Sequence, residues 1–136
     1  MTKTAEITQG TQLLLQNMGY ACLNEVTLPN DRRADLMGLN KKGQIFIVEV
    51  KSSLEDFRSD LKWQDYLDYC DFFAFSVDED FPKDILPAEH GLIIADKFEG
   101  YLHRHSPEHK LNGARRKSLT LSFARTAAKR LEKDQV

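Results

Sequence analysis

Residues 32–53, RRADLMGLNKKGQIFIVEVKSS, combine two strand-like runs with three charges that strands seldom bury. The run Ile45–Val50 is apolar on both faces, broken only by Glu49, and predicts a central strand covered on both sides. Asp35 lies in the preceding run, and Lys51 follows the central strand directly. Because a buried charge costs free energy unless it is paired, these three residues need an explanation.

The turn between the two runs predicts how the charges face one another. A three-residue loop, KKG, would place Gly43 in the left-handed position of a common hairpin turn. That register pairs Leu39 with Ile45, and side chains then alternate along both strands. The same alternation brings Asp35 opposite Glu49, where two carboxylates repel each other.

The opposed carboxylates leave several explanations open. A divalent cation could lie between them, because Mg²⁺ takes carboxylate oxygens and water. One acid could instead have a raised pKa, or splayed strands could expose both acids to water. Nearby cations could neutralise them without metal, namely Arg32, Arg33 or Lys51. We favour the metal, since an acid pair with one amine on the same face can bind metal, orient water and stabilise developing charge.

The remaining segments predict an α/β fold with a central mixed sheet flanked by helices. The order is helix, three strands, helix, strand, hairpin and helix, with Leu13, Leu14 and Met18 as the apolar stripe of the first helix. Helices are expected at 4–18, 54–69 and 114–133, and strands at 20–28, 33–39, 44–51, 71–77, 91–96 and 100–105.

Length and composition predict one cytoplasmic domain spanning residues 1–136. No apolar run approaches the ~20 residues of a membrane span, and the N-terminus lacks a secretory pattern. Cys22 and Cys70 have no metal-ligand spacing and are expected to be reduced core residues. We therefore expect no membrane partner.

The net charge of −2 conceals an asymmetry along the chain. Residues 54–89 carry eleven acids and three bases, whereas residues 112–136 carry seven bases and two acids. A basic C-terminal segment could contact phosphate. It could equally be a solvated helix face or a helix docked on the acidic region, and charge alone favours these two alternatives.

The charged triplet resembles a known nuclease signature. Asp35, then Glu49 fourteen positions later and Lys51, resemble the D…(D/E)-x-K pattern of the PD-(D/E)XK superfamily, although Ala34 replaces its usual proline. The predicted α-β-β-β-α-β order resembles its restriction-endonuclease-like core. Nearly the whole chain resembles the MmcB-type family of bacterial DNA repair proteins, through RRADLMGL, IFIVEVKSSLEDFRSDLKWQDYLDYCDFFAFSV, GLIIAD and EHKLNGARRKSLTLSFARTAAKRL.

The resemblance implies a DNA repair protein that hydrolyses phosphodiester bonds with Mg²⁺ or Mn²⁺. Asp35 and Glu49 would bind the metal, with the Val50 carbonyl as a third ligand. Lys51 would position the attacking water or stabilise the phosphate, completing a catalytic set of Asp35, Glu49 and Lys51. Lys51 could instead be a surface lysine paired with Glu49. Two further acids that could reach the metal are Glu6 and Glu25.

Polar residues near this site and before the C-terminal helix are candidates for DNA contact. They are Ser52, Ser53, Lys62, Gln64, Arg115, Arg116 and Lys117. Helix capping by a serine and plain surface exposure are the structural alternatives. The other class of function is a catalytically inactive DNA-binding or adaptor protein that kept the nuclease fold. A homodimer and a repair-protein partner both remain open.

Overall fold

The computed structural model describes residues 1–135 and contains a six-stranded sheet in which the strand order follows the chain. β3, β4 and β5 run parallel, and the other neighbouring strands are antiparallel. None of the helices within residues 1–135 is long and apolar enough to cross a membrane. The elements are α1 Lys3–Asn17, β1 Tyr20–Thr27, β2 Arg33–Asn40, β3 Ile45–Val50, α2 Leu54–Ser59, β4 Phe72–Val77, β5 Gly91–Ala95, β6 Gly100–Arg104 and α3 Gly113–Asp134, with 3-10 helices at Trp63–Tyr69 and Lys83–Ile85. The predicted α/β class and mixed sheet are confirmed.

The β2–β3 hairpin has the register that the sequence predicts. Leu39 pairs with Ile45, and Met37 pairs with Ile47. Gly43 has a φ of 79°, the left-handed conformation expected of it in the turn. All six residues of β3 are buried, which confirms its central place between two covering layers.

The sheet has a hydrophobic core on each face. α1 covers one face, where Ile7 and Leu15 are fully buried. α3 and the segment between β3 and β4 cover the other. Trp63 lies there, with its ring stacked 5.8 Å from that of Phe73.

The predicted apolar stripe of α1 is wrong. Leu13 and Met18 are 40% and 41% exposed, and Leu14 is only partly buried. The buried face instead includes Thr11, which has no exposed surface. Its hydroxyl lies 2.6 Å from the Ser76 hydroxyl, so a satisfied polar residue lies where the pattern was expected to be apolar.

The predicted helix 54–69 is also wrong, because it is two elements with a break at Asp60. α2 ends at Ser59, and Asp60 leaves the helix with φ −86° and ψ 97°. One Asp60 oxygen accepts from Lys51 Nζ at 2.6 Å, and the other accepts from the Lys62 amide at 2.9 Å. These local and long-range bonds compete with helical hydrogen bonding and favour the turn.

Asp71 joins four parts of the chain at the start of β4. Its buried carboxylate accepts from the Ile45 amide at 2.8 Å and the Leu111 amide at 3.0 Å. Arg116 donates to both of its oxygens, at 2.8 and 2.7 Å. The Asp71 carbonyl accepts from the His109 amide at 2.7 Å. Burial alone would raise the pKa of Asp71, but these donors outweigh it and hold the pKa below its usual value.

We predict that Asp71→Ala lowers the free energy of unfolding by about 3–5 kcal/mol, because it strips Arg116 of its partner and leaves buried amides unpaired. Urea denaturation at pH 7 measures this. Asp65→Ala is the matched control, since Asp65 forms an exposed ion pair with Arg32, and it should cost about 0–1 kcal/mol. Equal losses in the two variants would contradict the prediction.

Candidate active site

Asp35 and Glu49 meet where the regular β2–β3 pairing ends. The last backbone pair of the ladder is Leu36 with Val48. Beyond it, the Asp35 amide donates to Glu49 Oε2 at 3.0 Å, and the Val50 amide donates to Asp35 Oδ2 at 2.8 Å. Each carboxylate therefore crosses to the other strand, and both are held in fixed positions beside each other.

Burial disfavours the ionised forms of both acids, and the charge of Asp35 adds to this effect on Glu49. Glu49 is 5% exposed, and Asp35 is half-buried. Burial and the neighbouring Asp35 raise the pKa of Glu49 to about 8. Burial also raises the pKa of Asp35, against the opposing effect of the Val50 amide. A cation between the carboxylates would favour their ionised forms and reverse both shifts.

Lys51 is buried and paired with an acid that the sequence analysis did not single out. Only 5% of Lys51 is exposed, and its ammonium contacts Asp60, so it is not a surface lysine paired with Glu49. Burial would raise the pKa of Asp60, but the bond from Lys51 lowers it overall. Ser59 and Asp60 are adjacent weak helix formers, and they were the sequence signal for the turn that places Asp60 near Lys51.

Tyr66 is a second residue that the sequence analysis missed. It is 6% exposed, and its hydroxyl donates to the Arg33 carbonyl at 2.8 Å. Burial, followed by the negative charge of Glu49, raises the pKa of its phenol far above the usual value. Tyr66 thus holds a neutral hydroxyl against the backbone of Arg33, two residues before Asp35. The sequence analysis missed this contact because Tyr66 lies in a segment that was expected to be one regular helix.

The candidate metal ligands on other elements are separated by the fold. Asp35 lines a cleft of about 490 Å³ between α1 and β1, and Glu25 lines the same cleft. Glu6 instead lines a different depression with Lys3 and Asp78. The structure therefore brings Glu25, but not Glu6, to the cleft that Asp35 lines.

The backbone of β1 is strained beside the acid pair. Glu25 has a φ of 51°, a left-handed conformation that costs on the order of 1–3 kcal/mol in a residue of this type. It lies between Asn24 and Val26, whose partners on β2 flank Asp35. Arg130 of α3 donates to the Glu25 carbonyl at 2.9 Å and holds this conformation in place.

The serines predicted to bind DNA have structural partners at the start of α2. Ser53 caps the helix by accepting from the Asp56 amide at 3.1 Å. The Ser52 amide donates to the Asp56 carboxylate at 3.2 Å. Lys62 and Gln64 are exposed on the segment that follows. DNA contact stays a prediction for all four residues.

The three basic residues near the start of α3 differ in their availability. The terminal nitrogens of Arg116 donate to Asp71 and to two backbone carbonyls, so this side chain has a structural role. Arg115 stacks 4.8 Å from the Tyr69 ring centre and is exposed. Lys117 is exposed as well. Arg115 also donates to the Asp68 carbonyl at 3.0 Å, so the DNA-binding prediction for this segment rests mainly on Lys117.

The acid pair fits a hard divalent cation that retains water ligands. Within residues 1–135, no group of three His, Cys, Asp or Glu side chains could hold a metal ion. The pair supplies two carboxylates, each with one oxygen outside the cross-strand bonds described above. Mg²⁺ is commonly held by one or two carboxylates and several waters, so this donor set is sufficient. The Val50 carbonyl remains a predicted third ligand.

The fold and this geometry define an α/β protein with an acid pair, buried Glu49 and half-buried Asp35, and a buried amine at the end of a central strand. Residues 1–136 match the family model described as DNA repair protein MmcB-like. The chain belongs to that family, which indicates a role in DNA repair and interaction with DNA. Membership of the PD-(D/E)XK superfamily remains a prediction.

A solved structure of a protein of unknown function from Silicibacter pomeroyi is similar to this chain. The two share 41% sequence identity, and the alignment covers 99% of this chain and 92% of the other. The TM-score is 0.95, so the whole fold is shared. A search of curated proteins found no match.

We predict that Glu49→Gln stabilises the protein at high pH. The pKa of Glu49 rises from its ordinary 4.5 to about 8, so the folded state keeps a proton that the unfolded state loses between these pH values. Native stability therefore falls as pH rises through this window. Glutamine removes that fall, with a gain on the order of 2 kcal/mol at pH 8 and little gain at pH 4.5.

Urea denaturation at both pH values measures the gain from Glu49→Gln. Glu55→Gln is the matched control, because Glu55 is exposed in the first turn of α2. A stability profile that falls with pH as steeply in Glu49→Gln as in the unmodified protein would contradict the assignment.

Proposed function

We propose that the protein is a metal-dependent nuclease that hydrolyses phosphodiester bonds in DNA during repair, with Mg²⁺ or Mn²⁺ as cofactor. The observation that carries the proposal is the acid pair of buried Glu49 and half-buried Asp35, with Lys51 two residues beyond Glu49. The pKa of both carboxyl groups is raised in this position, and a bound cation would reverse that shift by stabilising their ionised forms. Membership of a DNA repair family supports DNA as the substrate.

The roles of the three residues follow from their charge and position. Asp35 and Glu49 would hold the cation, which would supply a water of lowered pKa as the nucleophile. Lys51 would interact with the phosphate as negative charge builds on it. Because Lys51 pairs with Asp60 at 2.6 Å, its ammonium is restrained before any DNA is bound. The likeness of the triplet to the PD-(D/E)XK signature supports the same assignment.

A second candidate is a non-catalytic DNA-binding or adaptor protein with the same fold. The observation that favours it is the engagement of Lys51 with Asp60, which could be a purely structural ion pair. The net charge of −2 also provides little general attraction for phosphate. A homodimer or a repair-protein partner could supply affinity in this case.

We predict metal-dependent cutting of DNA that depends on the acid pair and the amine. Labelled duplex, single-stranded, nicked, flap and junction DNA would be incubated with the protein and Mg²⁺ or Mn²⁺. Asp35→Ala and Lys51→Ala should each lower the cleavage rate by about 100-fold or more, the first because it removes a metal ligand and the second because it removes positive charge at the reacting phosphate. Lys97→Ala, an exposed lysine in the β5–β6 turn, is the matched control and should cut normally.

Each outcome of the cleavage assay separates the two candidates. Cutting that persists in both Asp35→Ala and Lys51→Ala would mean that the activity does not arise at this site. DNA binding without cutting, unchanged by Asp35→Ala, would reject the nuclease and support the adaptor.

We predict that Mg²⁺ or Mn²⁺ stabilises the folded protein without DNA. A ligand that binds only the folded state raises the free energy of unfolding by about 2.7 kcal/mol at 100 times its dissociation constant. Thermal melting with and without metal measures this. Asp35→Ala should abolish the shift, whereas Asp84→Ala, which removes an exposed acid before β5, should preserve it. An equal shift in both variants would place the metal elsewhere.

A further inference from the structure

The outer side of α3 carries a row of basic side chains. Residues spaced four apart along a helix form a continuous row on its surface. One such row, here called the basic ridge, consists of Lys117, Leu121, Arg125, Lys129 and Lys133. All five residues are exposed, so the ridge presents four positive charges to solvent. These charges extend along about 24 Å of helix, at a rise of about 1.5 Å per residue.

The charge of α3 is opposite to that of the rest of the chain. Residues 113–131 contain six bases and no acid, and the two acids of α3, Glu132 and Asp134, follow in its last turn. Residues 1–111 carry twelve bases and nineteen acids. A polyanion is therefore attracted to α3 more than to the remainder of the molecule.

The bases of the ridge differ in their partners from the bases on the inner side of α3. Arg116 pairs with Asp71, and Arg130 donates to the Glu25 carbonyl. In contrast, none of the ion pairs within residues 1–135 includes a base of the ridge. The inner bases thus serve the fold, whereas the ridge has its charge available for another molecule.

Two hydrogen bonds show that α3 runs from the β2–β3 turn toward the acid pair. Near the start of α3, Arg116 donates to the Gly43 carbonyl in that turn at 2.6 Å. Near its end, Arg130 donates to the Glu25 carbonyl, and the β1 residues on either side of Glu25 pair with the residues that flank Asp35. Because Gly43 and Asp35 lie at opposite ends of the hairpin, the C-terminal part of the ridge is the part nearer to the acid pair.

Duplex DNA is the polyanion that fits the ridge best. The family of this chain indicates interaction with DNA. Bases clustered along a helix are the electrostatic footprint of a nucleic-acid-binding protein. Proteins that bind single strands usually add aromatic side chains on which bases stack, whereas the one aromatic residue of α3, Phe123, is buried. The ridge therefore offers contacts to backbone phosphates and no surface for stacking.

We infer that the basic ridge binds the phosphate backbone of duplex DNA, independently of base sequence, and directs the duplex along α3 toward Asp35 and Glu49. This rests on the DNA interaction in the proposed function and not on cleavage. Phosphate contacts fix the position and orientation of a duplex without reading its bases. The length of the ridge corresponds to about seven base pairs, at about 3.4 Å for each.

Metal-free binding tests the ridge separately from cleavage. Full-length protein in EDTA is titrated into labelled duplexes of two unrelated sequences, and fluorescence anisotropy gives the association constant at NaCl concentrations between about 50 and 200 mM. Each phosphate contact adds about 0.9 to the steepness with which the logarithm of this constant falls with the logarithm of salt concentration. We expect unmodified protein to bind both duplexes with equal affinity and equal steepness.

Lys129→Gln should weaken binding to both duplexes and lower the steepness by about 0.9, and the triple variant Arg125→Gln, Lys129→Gln, Lys133→Gln should lower it by about 2.7. Lys97→Gln is the matched control, because it removes one exposed positive charge in the β5–β6 turn, and its steepness should be unchanged. The triple variant should melt no lower than unmodified protein, because it removes like charges spaced four residues apart on one helix. Weaker binding is then not a result of unfolding.

Several outcomes would overturn DNA binding by the ridge. They are no binding of duplex DNA by unmodified protein, an unchanged steepness in the triple variant, or an equal decrease in Lys97→Gln. Tighter binding to single-stranded DNA or to polyglutamate than to the duplex would also overturn it. Ridge-dependent binding without metal-dependent cutting would reject the nuclease and leave the ridge standing, whereas cutting by a triple variant of unchanged steepness would reject the ridge and leave the nuclease.

Discussion

The carboxylate of Asp71 fixes the start of β3, the central strand from which the sheet extends on both sides. It binds Ile45 at that end, while Arg116 and Leu111 connect it to α3 and the segment before α3. At the opposite end of β3, the Asp35 carboxylate binds the Val50 amide. The central strand is thus held at both ends by aspartates from neighbouring parts of the chain.

The acids at the two ends of β3 differ in how well they are paired, and this difference distinguishes a structural acid from candidate functional ones. Asp71 is satisfied by a guanidinium and two amides, so its pKa is lowered despite burial. Asp35 and Glu49 have raised pKa values, and the nearest buried amine, Lys51, contacts Asp60. The same fold therefore favours the ionised form of Asp71 and disfavours the ionised forms of Asp35 and Glu49. Carboxyl groups with raised pKa values are typical of catalytic and binding sites.

Local rules predicted the hairpin well and long-range partners poorly. Alternation and the glycine at Gly43 were sufficient for the β2–β3 register, because strand period and turn geometry are encoded locally. The break at Asp60 was missed because its cause includes an ion pair with Lys51, nine residues away. Arg116 was a DNA-contact candidate because it lies in a basic run, and its ion pair with Asp71 was missed because Asp71 lies 45 residues away in sequence. The approach of Asp35 to Glu49 was therefore predictable from the sequence. The partners around them, such as Asp60 on Lys51, depended on tertiary contacts.

The left-handed conformation of Glu25 has a consequence for the solubility of the chain. β1 lies at one edge of the sheet, where unpaired backbone groups could recruit a strand from another molecule. A kink at Glu25 makes this edge irregular, and Arg130 already occupies the carbonyl at that point. The strain beside the candidate site thus also protects the sheet from edge-to-edge association, so a relaxed β1 would be a better template for aggregation.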